Sequence, residues 1–395
     1  MFGFGNQSVI TDEKKVDELL SRGVSEVITK DELRAKLLSG KQLRVKLGID
    51  PTSPNLHLGR SIPLLKLRDF QELGHRVVLI VGDFTGVIGD TSDKESERPM
   101  LTETAVALNM RNYTEQAGKI LDINKAEIRR NSEWLSKLTY AEIGKHADAF
   151  SVADFIAREN IKKRLDAGTR VSLREVLYPL MQGYDSVAVN ADVELGGTDQ
   201  RFNLLAGRVL QEKSGQIPQN ILMTDLIEGL DGRKMSSSWG NTINFTDSPE
   251  DMYGKVMRLN DSLIEKYFIH VTRVPREEVA EALAGEPMQA KHTLAHAIVS
   301  LYYTEKEADS AKEQFKKAFS DGGVPENIPE IARDKTLSET LLKGNVIASK
   351  KEFERLISDG AITNTETGEK ISDIQAQALP GVYKVGKRRF VKIIS

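Results

Sequence analysis

The sequence predicts an α/β fold: a parallel sheet interrupted by a helical insertion, then an all-helical block, then a small α+β tail. Three observations carry that expectation. A strand–helix–strand pattern spans residues 43–82, the signature of a βαβ unit. The same alternation returns over 187–227. From Asp247 to Pro325 the periodicity becomes almost wholly helical.

Residues from about 10 to 40 read as polar amphipathic helix (VDELLSRGV, then KDELRAKLL), stopped at Gly40. In LRVKLGID (43–50), Leu43, Val45, Leu47 and Ile49 alternate with other residues, the period of a strand. GRSIPLLKLRDFQEL (59–73) reads as helix, with Pro63 early enough to be tolerated and Gly74 as its stop. HRVVLIVG (75–82) is β-branched with little polar content, as a strand covered on both faces should be. Helical segments fill 102–185. VAVNADVEL (187–195), TDQRFNLLAGRVLQE (198–212) and QNILMTDLI (219–227) then read strand, helix, strand. The result is a Rossmann-like sheet with a helical insertion at about 105–170. Gly322, Gly323, Pro325 and Pro329 mark a boundary, after which two short helices (SETLLKGN and SKKEFERLISDGA) lead into short strands. The expected domains are 1–246, 247–330 and 335–395.

Composition narrows the function. Across 395 residues, 55 Lys and Arg against 58 Asp and Glu leave a net charge of −3, which argues against a uniformly basic protein that coats DNA. With no cysteine, thiol nucleophiles, zinc knuckles and disulfide frameworks are excluded. The six histidines lack HExxH spacing; His292 and His296 lie four apart but have no evident third ligand, so no metal site is expected. No run approaches the roughly twenty apolar residues of a membrane span, and the N-terminus lacks a secretory pattern, so a cytoplasmic protein is expected.

Two segments carry phosphate chemistry. Asp50-Pro-Thr52-Ser-Pro-Asn-Leu-His57-Leu-Gly59-Arg60 runs from the end of a strand into a helix, where α/β sheets bind ligands. There Gly59 permits close backbone approach, unpaired N–H groups face an anion, and His57 is a further donor. Asp231-Gly-Arg-Lys234-Met235-Ser236-Ser237-Ser238 is a polar loop with a lysine and three hydroxyls, suited to gripping a triphosphate. Either segment alone is compatible with an ordinary solvated loop. A third segment places Tyr178, Gln182 and Asp185 four and three residues apart, on one helix face. Gly196-Gly197-Thr198-Asp199-Gln200 follows a strand and opens a helix, so Thr198 or Asp199 serves equally as a helix N-cap.

In order, and about 175 residues apart, the first two segments resemble the HIGH and KMSKS signatures of class I aminoacyl-tRNA synthetases. Over nearly the whole chain, VKLGIDPTSPNLHLG, VGDFTGVIGD, LYPLMQGYDS and GGTDQRFN resemble the bacterial tyrosyl-tRNA synthetases. That resemblance implies activation of L-tyrosine by ATP, carried with Mg as its counter-ion, to tyrosyl-adenylate. Transfer to the 3′ end of tRNA-Tyr follows. It makes His57 and Lys234 the catalytic donors. It assigns ATP to Asp50, Thr52, Gly59, Arg60, Gly197, Asp199, Gln200, Met235, Ser236 and Ser237, with Lys94 and Arg98 near the pyrophosphate. Tyr178, Gln182 and Asp90 would hold the substrate ammonium, and Asp185 would accept the phenolic proton. The tail resembles a small RNA-binding module named after a ribosomal protein, with Lys350, Lys351, Arg355, Lys387, Arg388 and Arg389 as phosphate contacts. The block 247–325 resembles an anticodon-binding domain, and a homodimer through the insertion helices is implied.

The chain departs from the pattern in places. Arg60 stands for the second histidine of HIGH and Ser237 for the second lysine of KMSKS, while Thr91 and Asp93 replace the usual Pro and Gly. Lys46 occupies a position where one branch of the family has a tyrosine, and an ion pair with Asp83 on the pocket floor is expected because charges near a buried strand should be paired. Rival readings are a synthetase for tryptophan, another adenylating nucleotidyltransferase, or an RNA-binding protein without catalysis.

Overall fold

The computed structural model describes residues 8–90, 100–319, 328–344, 346–386 and 389–394. The chain divides into two compact units, Met1–Ala308 and Asp309–Ser395, so the division falls within the helix Glu305–Phe319.

The first unit is built on six strands: β1 (Val24–Ile28), β2 (Arg44–Ile49), β3 (Arg76–Val81), β4 (Glu127–Arg130), β5 (Val193–Gly197) and β6 (Asn220–Thr224). Their order is β1-β6-β5-β2-β3-β4; all neighbours are parallel except β1, which runs antiparallel to β6. Val77, Val78 and Ile80 of β3 are fully buried, as the unbroken apolar run requires of a strand covered on both faces. The chain leaves β2 through the helix Leu58–Glu72 toward β3, and leaves β5 through the helix Arg201–Lys213 toward β6. Connections therefore diverge between β2 and β5. At such a switch point the carboxyl ends of neighbouring strands leave a crevice for ligands.

Three sheet expectations need correction. Residues 10–40 are not wholly helical: β1 lies between the helices Glu13–Leu19 and Lys30–Leu38, entered by Gly23 at φ 61°. A register shift between Val24 and Glu26 blurs its alternation. The insertion contains β4, whose sequence EIRR carries no apolar signal because Glu127 is paired with Arg44, Arg76 and Arg129 at the sheet edge. The strand expected from residue 187 begins only at Val193. Val187 to Val189 instead close the helix Leu173–Val189, which ends on Asn190 in the left-handed conformation.

After the sheet come the helices Pro249–Met257, Ile264–Val271, Arg276–Ala284, Pro287–Tyr302 and Glu305–Phe319, matching the helical periodicity. The second unit has the helices Leu337–Lys343 and Lys350–Ser358 and four strands: β7 (Glu330–Ala332), β8 (Ile362–Asn364), β9 (Gly381–Val385) and β10 (Arg389–Ile394). Their order is β7-β10-β9-β8, around a core of Leu337, Leu341, Phe353, Tyr383 and Val391.

Candidate active site

A cavity of about 190 Å³ opens at the ends of β2 and β5. Its lining brings together Asp50, Thr52, His57, Gly59, Arg60, Asp90, Tyr178, Gln182, Asp185, Gly197, Asp199, Gln200, Lys234, Met235, Ser236 and Ser237. Five separate stretches of the sequence thus surround one space. Lys94 and Arg98, like Thr91 and Asp93, lie outside the described residues.

His57 is the N-cap of the helix Leu58–Glu72. Burial, then the nearby charges of Arg60 and Lys234, push its imidazole down to about 3, so the ring is neutral at physiological pH. Its Nδ1 is buried with no hydrogen-bond partner. Gly59 gives the ring room beside it: a Cβ there would lie only 3.0 Å from His57 Cε1. The expected row of free N–H groups at this helix start is not present. Leu58 N donates to Ile243 O (2.9 Å) and Gly59 N to Met235 Sδ (3.2 Å), while Arg60 N and Ser61 N turn back to His57 O. The Gly59–Met235 contact also binds the two motifs directly to each other. Half-buried Arg60 lines the cavity and makes no side-chain hydrogen bond or ion pair among the described residues.

Across the cavity, Lys234 Nζ lies 2.9 Å from Asp199 Oδ2. The loop around Lys234 is organised by Asn241, which the sequence reading missed. Its Oδ1 accepts from Ser236 N (2.8 Å), and its Nδ2 donates to Asp231 Oδ1 (2.7 Å) and to Lys234 O (3.1 Å). Ser237 Oγ sits 3.3 Å from Ser53 Oγ of the opposite motif.

Asp50, at the end of β2, accepts from Thr85 Oγ1 (2.7 Å) and from the Tyr178 hydroxyl (2.8 Å), and burial raises it to about 6. This pair fits only because residue 82 is glycine: a Cβ there would fall 2.1 Å from Asp50 Oδ1. Gln200 Nε2 donates to Asp90 Oδ2 (2.7 Å), and Asn203 bridges Gln200 Oε1 (2.9 Å) and Gln182 Oε1 (3.0 Å). Asp185 is buried, accepting from Trp134 Nε1 (2.8 Å) and Asn131 Nδ2 (3.4 Å), and burial lifts its carboxyl to about 7. Asn131 and Trp134 follow β4, where no sequence signal flagged them. The loop 51–57 is clamped from the insertion: Asn109 donates to Pro51 O, Tyr113 to Ser53 O and Gln116 to Pro54 O.

The expected Lys46–Asp83 pair does not form. The parallel register sets Lys46 opposite Glu194, and Lys46 Nζ lies 3.1 Å from Glu194 Oε1, both side chains 1% exposed. Asp83 instead accepts from Ser132 N (2.9 Å) and Ser132 Oγ (2.6 Å). Lys46 also donates to Gln182 O (3.2 Å), so it lies behind the cavity wall rather than on its floor.

In the second unit, Lys350, Lys351 and Arg355 are exposed on one helix. Arg389 is engaged by Glu352 (2.9 Å) and by Val346 O, while Lys387 and Arg388 lie outside the described residues. Among the described residues no group of three His, Asp or Glu side chains could hold a metal ion: His292 faces the Tyr253 hydroxyl (2.7 Å), and His296 lies 3.6 Å from Glu305.

The parallel sheet thus opens at its switch point, where a His-x-Gly helix start and a Lys-Met-Ser loop meet over one cavity. Residues 38–320 match the family described as tRNA synthetases class I (W and Y), and the chain belongs to that family. Within it the likeness is to tyrosine enzymes. The chain is 46% identical to the tyrosine--tRNA ligase of Symbiobacterium thermophilum, over 96% of this chain and 98% of that one. It is 44% identical to that of Thermotoga maritima, over 97% and 98%. In fold it resembles a C-terminally truncated mitochondrial tyrosyl-tRNA synthetase of Aspergillus nidulans, with TM-score 0.66 and 23% identity, covering 77% of this chain and 94% of that one.

Proposed function

We propose that the chain activates L-tyrosine with ATP and transfers the tyrosyl group to the 3′ end of tRNA-Tyr. The observation that carries this reading is the convergence of His57, Arg60, Lys234 and Asp185 on one cavity. The amino-acid carboxylate is already a nucleophile, so attack on the α-phosphate needs no side-chain base. It needs alignment and donors aimed at the charge that builds on phosphate oxygens. Neutral His57, which lines the cavity, is one such donor. Arg60 supplies a permanent cation close by, and Lys234 supplies a second once the triphosphate draws it from Asp199. Mg enters as the counter-ion of ATP, with ligands drawn from the phosphates.

Asp185 accepts the phenolic hydroxyl of tyrosine beside its bonds from Trp134 and Asn131, and a phenylalanine ring would cover the carboxylate without supplying that further bond. Asp90, Tyr178 and Gln182 receive the ammonium, and Asp199 and Gln200 face the ribose. Tyrosine-dependent pyrophosphate exchange across the twenty amino acids tests the assignment. Exchange stimulated by tyrosine alone is the expected outcome. Exchange with another amino acid alone overturns it, as does tRNA binding without any adenylate formation.

The helical block after residue 247 and the tail after 335 take the anticodon arm and further RNA phosphates, so the acceptor is RNA and not DNA. Removing residues from 335 onward should spare adenylate formation and weaken charging of tRNA, read by comparing exchange with aminoacylation. A homodimer forms through the insertion, where Tyr140 and Val152 are strongly exposed apolar residues. Among the described residues no helix is long and apolar enough to cross a membrane, and we place the enzyme in the cytoplasm with its tRNA.

A further inference from the structure

Lys234 is carried by a short hairpin. Glu228 and Lys234 form an antiparallel bridge, Met235 N donates to Ile227 O (2.8 Å), and Gly229 N donates to Arg233 O (2.7 Å). Whatever holds residues 227–229 therefore sets where the lysine backbone lies. The holder is a helix outside the nucleotide-binding sheet, Ile264–Val271. Tyr267 is fully buried and its hydroxyl donates to Glu228 O (2.6 Å). Lys266 Nζ reaches both carboxylate oxygens of Glu228, at 3.1 and 2.9 Å.

This helix is itself firmly anchored. Buried Arg22 caps its carboxyl end, donating to Phe268 O (3.0 Å), Ile269 O (3.1 Å) and, just beyond it, Val274 O (2.8 Å). A guanidinium suits that position because it meets the orphan carbonyls and the negative end of the helix dipole together. Arg273 then pairs with Asp69 (2.7 and 2.9 Å) on the helix Leu58–Glu72, whose first turn carries Gly59 and Arg60. This helix thus grips the Lys234 hairpin, and the segment just after it grips the helix that carries Gly59 and Arg60.

We propose that Tyr267 and Lys266 are positioning residues that hold Lys234 at its distance from the His57–Arg60 turn, acting through Glu228. The proposal rests on the reading that Lys234 acts on the triphosphate. Neither side chain is among the residues that line the cavity, so neither touches substrate.

The test is a double-mutant cycle on the full-length protein, read by single-turnover adenylate formation with tyrosine and ATP. Tyr267→Phe removes one hydroxyl and keeps the ring. We expect it to slow adenylate formation about tenfold, the size of one hydrogen bond, with the tyrosine dissociation constant unchanged. In a Lys234→Ala background the same change should alter the rate less than twofold, because the group it positions is gone. Lys266→Met, whose head group is partly exposed, should show the same pattern more weakly and serves if Tyr267→Phe lowers the melting temperature. Equal slowing in both backgrounds would mean that Tyr267 only supports the fold, and an unchanged rate in the otherwise wild-type protein would also overturn the proposal. Absence of tyrosine-dependent adenylate formation in the wild-type protein would instead overturn the functional reading beneath it.

Discussion

The two walls of the cavity are built differently. On the wall we assign to tyrosine, Asp185, Asn131, Lys46 and Glu194 are buried, and each has its partners in place. On the wall we assign to the triphosphate, Lys234 keeps 29% of its side chain exposed, Arg233 and Asp231 pair in solvent, and the loop depends on a few bonds from Asn241. Choosing tyrosine over phenylalanine requires an acceptor that cannot relax or be rescued by water, which a buried network provides. Gripping phosphate requires cations able to exchange a resting partner for a ligand, which an exposed loop provides. The buried Lys46–Glu194 pair is weak evidence for net stability, because desolvation opposes the Coulomb attraction. Its evident contribution is placement: it fixes Gln182 O and, through Glu194, Ser186 on the helix that carries Asp185.

The sharpest way to break this contrast is Asp185→Asn. The folded carboxyl sits at about 7 against an ordinary 3.8, so the native state binds more protons than the unfolded state between those values. Its stabilising influence is therefore complete below about pH 4 and lost as pH rises through 7. Asparagine removes that penalty. The melting temperature should rise relative to wild type at pH 8 and not at pH 4, while kcat/KM for tyrosine falls on the order of a hundredfold or more for loss of a charged acceptor. The wild-type kcat/KM should decline below pH 7. In the variant only the limb from Asp50, near 6, should remain. A variant that is both less stable at pH 8 and normal toward tyrosine would remove the basis for a preorganised tyrosine wall.

His57 separates the buried from the exposed donors of the wall proposed to meet phosphate. His57→Ala should raise the barrier to adenylate formation by about 2–4 kcal/mol, the usual effect of deleting one aimed donor. Since the ring is neutral down to about pH 3, the deficit should be flat from pH 5 to 8. A deficit that grows with acidity would show that the imidazolium acts, and no deficit would hand its role to Arg60. Both outcomes are read from single-turnover rates across pH.

How much of this was legible beforehand follows from the kind of contact involved. β2, β3, β6 and the helix Leu58–Glu72 announced themselves because their burial is written as apolar period. His57, Lys234 and Asp185 were expected at one site from their motifs and from the family resemblance, and all three line one cavity. β1 and β4 were hidden because their burial is served by a register shift and by ion pairs, neither of which leaves a period. Lys46 was matched to Asp83 when its partner is Glu194, since only the register of β2 against β5 brings those two face to face. Asn131, Trp134, Asn203 and Asn241 act through side-chain hydrogen bonds set by the tertiary fold or the local loop, for which a lone polar residue gives no warning.

Asn241 provides the smallest and most discriminating perturbation. It is buried at the base of the loop, and one amide side chain accepts from Ser236 N and donates to Asp231 and to Lys234 O. Asn241→Ala leaves Ser236 N without an acceptor and frees the loop from its base, without touching the tyrosine wall. Global stability should fall by about 1 kcal/mol, in line with a modest net hydrogen-bond loss. The ATP KM in pyrophosphate exchange should rise several-fold with the tyrosine KM unchanged. A matching rise in the tyrosine KM would mean that the two walls are one mechanical unit. If only the ATP term moves, the flexibility of the triphosphate wall is local, confined by Asn241 to the residues that meet phosphate.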